Sequence, residues 1–170
     1  QAGQRRGLDR GDGTVRIVFL GTPGAAVPSL EALGEAGHDL RTVVTRPDRP
    51  VGRSARPVPP PVKRTAVNLG LDVTQPKGVK GRAFAESLRD LRPDVLAVVA
   101  YGRILPRAVL DVASHGAVNL HFSLLPAYRG AAPVQWALAG GEEVTGVTTM
   151  RLNEKMDEGD ILLQQKTTVE

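Results

Sequence analysis

The segment 95–100 is a continuous run of six apolar residues, Val-Leu-Ala-Val-Val-Ala. A strand without polar alternation has both of its faces covered, as happens inside a parallel sheet flanked by helices. A second run, residues 15–20, is apolar apart from Arg16, is rich in β-branched residues and is followed by Gly21. It also reads as a buried strand, so the chain is predicted to build an α/β fold around a parallel sheet.

Helical patterns separate these strands from the others along the chain. The predicted helices cover residues 25–36, 62–69, 84–91, 105–112 and 132–139, and further strands are predicted at 40–45, 72–75 and 117–121. Two β-rich segments, 145–152 and 161–169, flank a turn at 156–160 and predict a late antiparallel hairpin. Strands that alternate with helices predict a doubly wound, mostly parallel sheet that ends in this hairpin.

The bulk properties limit the domain organisation. A length of 170 residues suits one domain, which we assign to residues 14–170. Residues 1–13 mix Arg, Asp and Gly without an apolar stretch, so we expect a disordered arm and no targeting peptide. No apolar run approaches the roughly 18 residues of a membrane helix. The absence of cysteine suits a reducing compartment. The chain begins with Gln and stops soon after a predicted strand, so we expect a fragment.

Positive charge is concentrated in one proline-rich segment. Residues 41–64 hold seven basic residues against one acid, Asp48, whereas the whole chain has a net charge of only +4. Six prolines between residues 46 and 61 exclude a helix or a central strand there and predict a loop. A stiff basic loop fits a phosphate-rich partner, and it also fits a solvated surface loop.

Polar residues at the end of a predicted strand are the strongest indication of chemistry. Asn119 and His121 are two residues apart, so their side chains lie on the same side of the strand, and a carboxylate follows downstream at Asp157. An amide donor, a titratable ring and a carboxylate suffice for acyl or formyl transfer without a metal. The alternatives are a polar pair that satisfies local backbone groups and an acid in an ordinary hairpin turn.

Other catalytic motifs are not found. The turn Gly21-Thr-Pro-Gly24 lacks the second and third glycines of a dinucleotide-binding loop, and no phosphate-binding P-loop occurs. Ser123 lacks the G-x-S-x-G elbow of a serine hydrolase. With three histidines, no cysteine and no helical ligand pair, we predict no metal site. We predict that Trp136 and Tyr128 pack within the protein.

Several motifs, in this order and spacing, resemble the folate-dependent formyltransferases: Asn119-Leu-His121, Ser123-Leu-Leu-Pro126, Arg129-Gly130 and Asp157. Further segments resemble the members of that family that act on tRNA: Phe19-Leu-Gly-Thr-Pro23, Arg46-Pro-Asp-Arg-Pro50-Val-Gly-Arg53, Val99-Ala-Tyr-Gly102 and Arg129-Gly-Ala-Ala-Pro133-Val-Gln135. The resemblance covers residues 15–170 and implies a Rossmann-like catalytic domain. In the family that domain continues somewhat further and a small β-rich domain follows it, so both parts are expected to be missing here.

The resemblance implies roles for individual residues. Asn119, His121 and Asp157 would be the catalytic trio, with Asp157 orienting the imidazole ring. Two groups would contact the folate: Ser123, Leu124, Leu125 and Pro126 along it, and Arg103, Ile104 and Leu105 around its pterin ring. In the basic loop, Arg49 and Arg53 would bind the acceptor end of tRNA.

The implied reaction transfers a formyl group from 10-formyltetrahydrofolate to the amino group of methionyl-tRNA for translation initiation. The partners would be charged initiator tRNA and the folate, with no membrane and no metal, and the protein would be a cytoplasmic bacterial monomer. Two alternatives remain open from the sequence. One is formylation of another amine, either glycinamide ribonucleotide or an amino sugar, and the other is a folate- or RNA-binding fragment without turnover.

Overall fold

A computed structural model describes residues 13–50, 52 and 56–169 of the chain. The expected disordered arm therefore lies outside the described residues, except for Gly13. The strands in these ranges, numbered in chain order, are β1 Arg16–Gly21, β2 Asp39–Val44, β3 Arg49–Pro50, β4 Pro57–Val58, β5 Val73–Thr74, β6 Val95–Val99, β7 Ala117–His121, β8 Val144–Arg151 and β9 Ile161–Thr168.

The helices lie between the strands, as the sequence predicts. They are α1 Val27–Glu35, α2 Pro61–Asn68, α3 Arg82–Asp90, α4 Arg107–Leu110 and α5 Pro133–Ala139, and a 3₁₀ turn, Gly24–Ala26, leads into α1. Three of them, α1, α2 and α5, have a proline in the first two positions. Proline is favoured there because the first N–H groups of a helix have no partner within the helix.

Seven strands form one sheet in the order β5-β2-β1-β6-β7-β8-β9. The pairings from β5 to β7 are parallel, and β8 and β9 are added antiparallel at one edge. This confirms the predicted mostly parallel α/β sheet with a late hairpin. The strand order reverses beside β1, and in open sheets of this kind ligands bind beyond the carboxyl ends of the strands near such a point.

The core consists of one apolar cluster on each face of the sheet. On one face Val18 and Leu20 of β1 belong to a cluster with side chains of α3 and α4. On the other face Phe19 belongs to a cluster with side chains of α1 and α2. Successive side chains of β1 therefore point to opposite faces and both are buried, which explains why its sequence shows no polar alternation.

The basic proline-rich segment contains a small regular element that the sequence did not predict. Two residues of β3 pair antiparallel with two of β4 in a sheet of their own. Asp48, just before β3, accepts hydrogen bonds from Lys63 of α2 at 2.8 Å and from Gln75 at 2.7 Å. These contacts attach the start of the loop to the main sheet and helix layer.

Candidate active site

Strand β7 places Asn119 and His121 on one side of the sheet, as the spacing predicts. In the register of the sheet Asn119 is opposite Val98 of β6, and His121, the last residue of β7, is opposite Thr148 of β8. Leu120 alternates with them and packs against the cluster that contains α1 and α2. The two polar side chains therefore lie at the carboxyl end of the strand on the face opposite this cluster.

A cavity of about 540 Å³ opens at this end of the sheet. Asn119, His121 and Asp157 all line it, although Asp157 comes from the β8–β9 connection, more than thirty residues further along the chain. Other walls come from the residues after β6 and from those before α5. The structure thus brings the predicted trio to one cavity of a size typical for small-molecule sites.

His121 is buried, with 6% of its surface exposed, and both of its ring nitrogens face polar groups. Nε2 lies 2.9 Å from the backbone carbonyl oxygen of Tyr128. Since a carbonyl oxygen only accepts, this hydrogen bond assigns a proton to Nε2. Nδ1 lies 3.7 Å from Oδ2 of Asp157, which is too long for a direct hydrogen bond. The sequence predicts that Asp157 orients the ring, but this contact belongs to the carbonyl group of Tyr128.

Asp157 is held by a backbone group of the connection between β7 and α5, which also contains Tyr128. Its Oδ2 accepts a hydrogen bond of 2.8 Å from the N–H group of Gly130, and 13% of its side chain is exposed. Its φ of 51° lies in the left-handed region, and the turn continues through Gly159, where a Cβ atom would overlap the carbonyl oxygen of Arg151. The tight return into β9 therefore requires glycine and directs the carboxylate towards His121.

Of the predicted folate contacts, the three after β6 line the cavity. Arg103, Ile104 and Leu105 are all part of its wall. Leu105 is buried, whereas Ile104 is 69% exposed and presents an apolar surface. Arg103 donates a hydrogen bond of 3.1 Å from Nη1 to the carbonyl oxygen of Pro76, which fixes one end of its guanidinium group.

The other predicted folate contacts do not line the cavity. Ser123, Leu124, Leu125 and Pro126 are absent from its walls. Ser123 is fully buried, and its hydroxyl donates to the carbonyl oxygen of Ala127 at 2.6 Å. The N–H group of Leu125 donates to the hydroxyl of Thr148 at 3.1 Å. After His121 the chain turns towards β8 and buries Ser123 and Leu125, while Pro126 is exposed, so none of the four residues faces the cavity.

Of the two predicted tRNA contacts, only Arg49 can be described. It is exposed in β3, while Arg53 lies outside the described residues. Hydrogen bonds from Lys63 and then from Gln75 hold the pKa of Asp48 below its usual value. Asp48, the acid of the segment, is thus paired with Lys63, and the exposed Arg49 makes no ion pair among the residues that the structure describes.

Sequence reasoning missed several residues that shape the site. Tyr101, just after β6, lines the cavity with 1% of its surface exposed, and burial raises the pKa of its phenol. Tyr128 and Gly130 provide the backbone groups that hold His121 and Asp157. Trp136, predicted to pack, is 63% exposed, so that prediction is wrong. For Tyr101 the sequence does carry a signal, which is its position directly after a predicted parallel strand, because residues that follow parallel strands meet at one edge of the sheet.

Two features are absent from the part of the chain that the structure describes. No group of three His, Cys, Asp or Glu side chains among residues 13–50, 52 and 56–169 lies close enough together to hold a metal ion. Within the same ranges, no helix has both the length and the apolar character needed to cross a membrane.

Sequence comparison finds similar proteins over almost the whole chain. A family model described as "Formyl transferase" matches residues 15–170. A methionyl-tRNA formyltransferase of Acidobacterium capsulatum is 54% identical over 156 residues, 91% of this chain and 50% of that protein. One of Moorella thermoacetica is 55% identical over 155 residues, again 91% and 50%. The chain thus spans about half the length of the curated relatives it matches.

Structure comparison finds the same fold at low sequence identity. Glycinamide ribonucleotide transformylase 1 of Symbiobacterium toebii superposes with a TM-score of 0.72 and 24% identity, covering 92% of this chain and 74% of that one. Phosphoribosylglycinamide formyltransferase of Bacillus halodurans gives 0.71 and 22%, covering 91% and 80%. At this level of identity the likeness concerns the fold alone.

Proposed function

Because the chain belongs to the formyl transferase family, we propose that it transfers a formyl group from 10-formyltetrahydrofolate to the amino group of methionyl-tRNA. The supporting observation is the convergence of Asn119, His121 and Asp157 on one cavity. The choice of acceptor follows the relatives of about 50% identity, which are named methionyl-tRNA formyltransferases. Residues 14–170 are proposed to form the catalytic domain of this enzyme, in the bacterial cytoplasm.

The reaction needs a place for negative charge. The acceptor amine forms a bond to the formyl carbon, and the formyl oxygen carries the charge until the bond from that carbon to the donor nitrogen breaks. In the proposed arrangement Asn119 donates a hydrogen bond to this oxygen from its amide. His121 donates a second one from Nδ1 when its ring is protonated. Removal of one such donor typically reduces the rate by about 10²- to 10³-fold.

Asp157 and His121 together can account for every proton that moves in the reaction. Asp157 accepts the proton that the attacking amine releases. The departing donor nitrogen receives a proton from Nδ1 of His121, because Nε2 is engaged with Tyr128. Transfer of a proton across the 3.7 Å gap from Asp157 to Nδ1 then restores the starting state. No metal takes part in this scheme, and general acid–base help of this kind contributes roughly 10²- to 10⁴-fold.

The walls of the cavity suit the two proposed substrates. Ile104 and Leu105 offer an apolar surface for the flat ring of a folate, and Arg103 stands beside them. We place the pterin ring there and give no direct folate contact to residues 123–126. The exposed Arg49, together with Arg53, is proposed to meet the phosphates of the acceptor end of charged initiator tRNA. A monomer is sufficient for this arrangement.

The experiment is a single-turnover assay of the 170-residue chain with 10-formyltetrahydrofolate and each of three acceptors. These are methionyl initiator tRNA, methionyl elongator tRNA and glycinamide ribonucleotide, and the formylated product is quantified by mass spectrometry. We expect transfer to initiator tRNA above all. Preferred formylation of glycinamide ribonucleotide would overturn the acceptor, and no transfer to any acceptor would overturn the proposed activity.

The matched variants are His121→Ala in the cavity and His115→Ala outside it. We expect the first to reduce the rate by at least about 10²-fold while folate binding is kept, because it removes a hydrogen-bond donor to the formyl oxygen. The second is expected to leave the rate unchanged, because His115 does not line the cavity. Equal rates for the His121 variant and the parent chain would contradict the assignment.

A further inference from the structure

Residues 127–132, here named the bracket loop, join the buried turn after β7 to the start of α5. Its backbone is unusual, because Tyr128 and Ala132 have φ values of 54° and 57° and Gly130 has 87°. Residues with a Cβ atom rarely adopt this left-handed conformation. Two such residues in one short loop require contacts from outside the loop that keep them in place.

The bracket loop holds His121 and Asp157, the two titratable members of the trio, through its backbone. The carbonyl oxygen of Tyr128 accepts from Nε2 of His121 at 2.9 Å, and the N–H group of Gly130 donates to Asp157 at 2.8 Å. The direction of each backbone group depends on the torsion angles of the loop. A change in the loop backbone would therefore move the imidazole and the carboxylate relative to each other.

The side chain of Tyr128 ties this loop to the end of α5. Its hydroxyl donates a hydrogen bond of 2.6 Å to Oε1 of Glu142. The N–H group of Glu142 in turn donates to the carbonyl oxygen of Ala137 in α5. A Cβ atom at Gly140 would lie only 3.0 Å from the Tyr128 hydroxyl, so the tyrosine passes directly over the end of the helix. Tyr128 is thus held at its backbone by His121 and at its hydroxyl by Glu142.

We propose that Tyr128 and Glu142 are positioning residues, whose hydrogen bond fixes the backbone carbonyl that keeps the proton of His121 on Nε2 and turns Nδ1 towards the cavity. Neither side chain lines the cavity, so both act through His121 and not on a substrate. The consequence for the rate rests on the proposed function. The consequence for the imidazole tautomer does not, because it follows from the contacts of the chain alone.

Three variants separate this role from simple packing. Tyr128→Phe removes the hydroxyl and keeps the ring, while Glu142→Ala removes the acceptor. Glu142→Gln provides an amide oxygen that can accept the hydrogen bond from the Tyr128 hydroxyl, so this conservative variant should retain the parent behaviour. The matched control is Glu143→Ala, because the neighbouring Glu143 is also exposed and its side chain has no hydrogen bond among the described residues.

The first measurement is nitrogen NMR of the histidine rings in the 170-residue chain labelled with ¹⁵N-histidine. The chain has three histidines, so the His121 signals can be assigned from the spectrum of His121→Ala. We expect the proton on Nε2 in the parent, in Glu142→Gln and in Glu143→Ala. In Tyr128→Phe and Glu142→Ala we expect the two ring nitrogen shifts to move towards each other as the tautomers mix. Unchanged His121 shifts in both of these variants would overturn the proposal.

The second measurement is the rate of formyl transfer by the same variants. A displaced imidazole reduces kcat by about 10- to 10²-fold in Tyr128→Phe, while KM for the folate stays within about twofold, because a misplacement of about 1 Å costs up to 10²-fold. Equal losses in kcat and folate binding would indicate a general structural defect and overturn the positioning role. If the parent transfers no formyl group at all, the proposed function fails, and the NMR result still decides this inference.

Discussion

The sheet has one pair of an acidic and a basic side chain at the amino ends of its strands and another at the carboxyl ends, and the two pairs differ in how their members are bound. At the amino ends of β1 and β6, Arg16 and Asp94 bind each other directly, with Nη2 to Oδ1 at 2.7 Å and Nε to Oδ2 at 3.1 Å. The backbone N–H group of Arg16 adds a third bond of 2.9 Å. At the carboxyl end of β7, Nδ1 of His121 and Oδ2 of Asp157 face each other at 3.7 Å.

The two pairs differ in the partners of their hydrogen bonds. Arg16 and Asp94 use theirs on one another, which is what a pair that joins two neighbouring strands requires. His121 and Asp157 are each held by a backbone group of the bracket loop and not by one another. Among the described residues, Nδ1 of His121 and Oδ1 of Asp157 make no hydrogen bond, although both residues line the cavity. A pair supported from outside keeps atoms available for a substrate.

The largest effect is expected from Asp157→Asn, which tests whether the open pair is chemical. The amide oxygen of Asn can still accept from the Gly130 N–H group, so the fold of the loop is kept, but the proton acceptor for the amine is lost. We expect the rate of formyl transfer to decrease by about 10²- to 10⁴-fold while Tm stays close to that of the parent. Single-turnover kinetics and thermal unfolding of the same sample measure both quantities.

The control is Asp160→Asn in the same connection, an exposed acid outside the cavity lining. It should change neither the rate nor Tm. If Asp157→Asn instead lowered Tm strongly and left the rate within tenfold, the pair would be structural. The contrast between the two ends of the sheet would then disappear.

The reverse result is expected from Asp94→Asn. This variant removes the charge that Arg16 binds while only 11% of the Asp94 side chain is exposed, so the guanidinium loses a charge-assisted partner at the strand ends. We expect Tm to decrease by several degrees and kcat to remain unchanged, because the pair lies at the opposite end of the strands from the cavity. Asp90→Asn, at the exposed end of α3, is the matched control with unchanged Tm. A loss of kcat without a loss of Tm would show that the closed pair also serves catalysis.

Much of the fold could be predicted because its signals are local. The apolar runs of β6 and, after Arg16, of β1 depend on residues next to each other in the chain, as do the prolines at the start of α2 and α5. The pairing of β8 with β9 follows from a short connection between two β-rich segments. Asn119 and His121 were equally accessible, since alternation along one strand places both on one face.

The support of the site could not be predicted because it uses backbone groups of unusual conformation. Nothing in the sequence around Tyr128 indicates a left-handed residue whose carbonyl oxygen binds an imidazole seven positions earlier. The turn of residues 123–126 away from the cavity likewise depends on Thr148 of β8, a contact between distant parts of the chain. The exposure of Trp136 also depends on tertiary packing. Its size favours a buried position, but α5 packs so that only Ala137 is buried.

The smallest effect is expected from Asp48→Asn, which places a third pair in the comparison. Asp48 and Lys63 bind at 2.8 Å near the carboxyl end of β2, so this is a closed pair at the same end of the sheet as the cavity. If the bonding pattern and not the location decides the role, the variant should keep kcat and lower Tm slightly at neutral pH. Hydrogen bonds from Lys63 and Gln75 lower the pKa of Asp48, so its stabilising contribution is present above the ordinary value of 3.8 and is lost as pH falls through the lowered one. The Tm difference between parent and variant should therefore vanish in strong acid, and a difference that persisted there would show that the pair does not stabilise the loop through its charge.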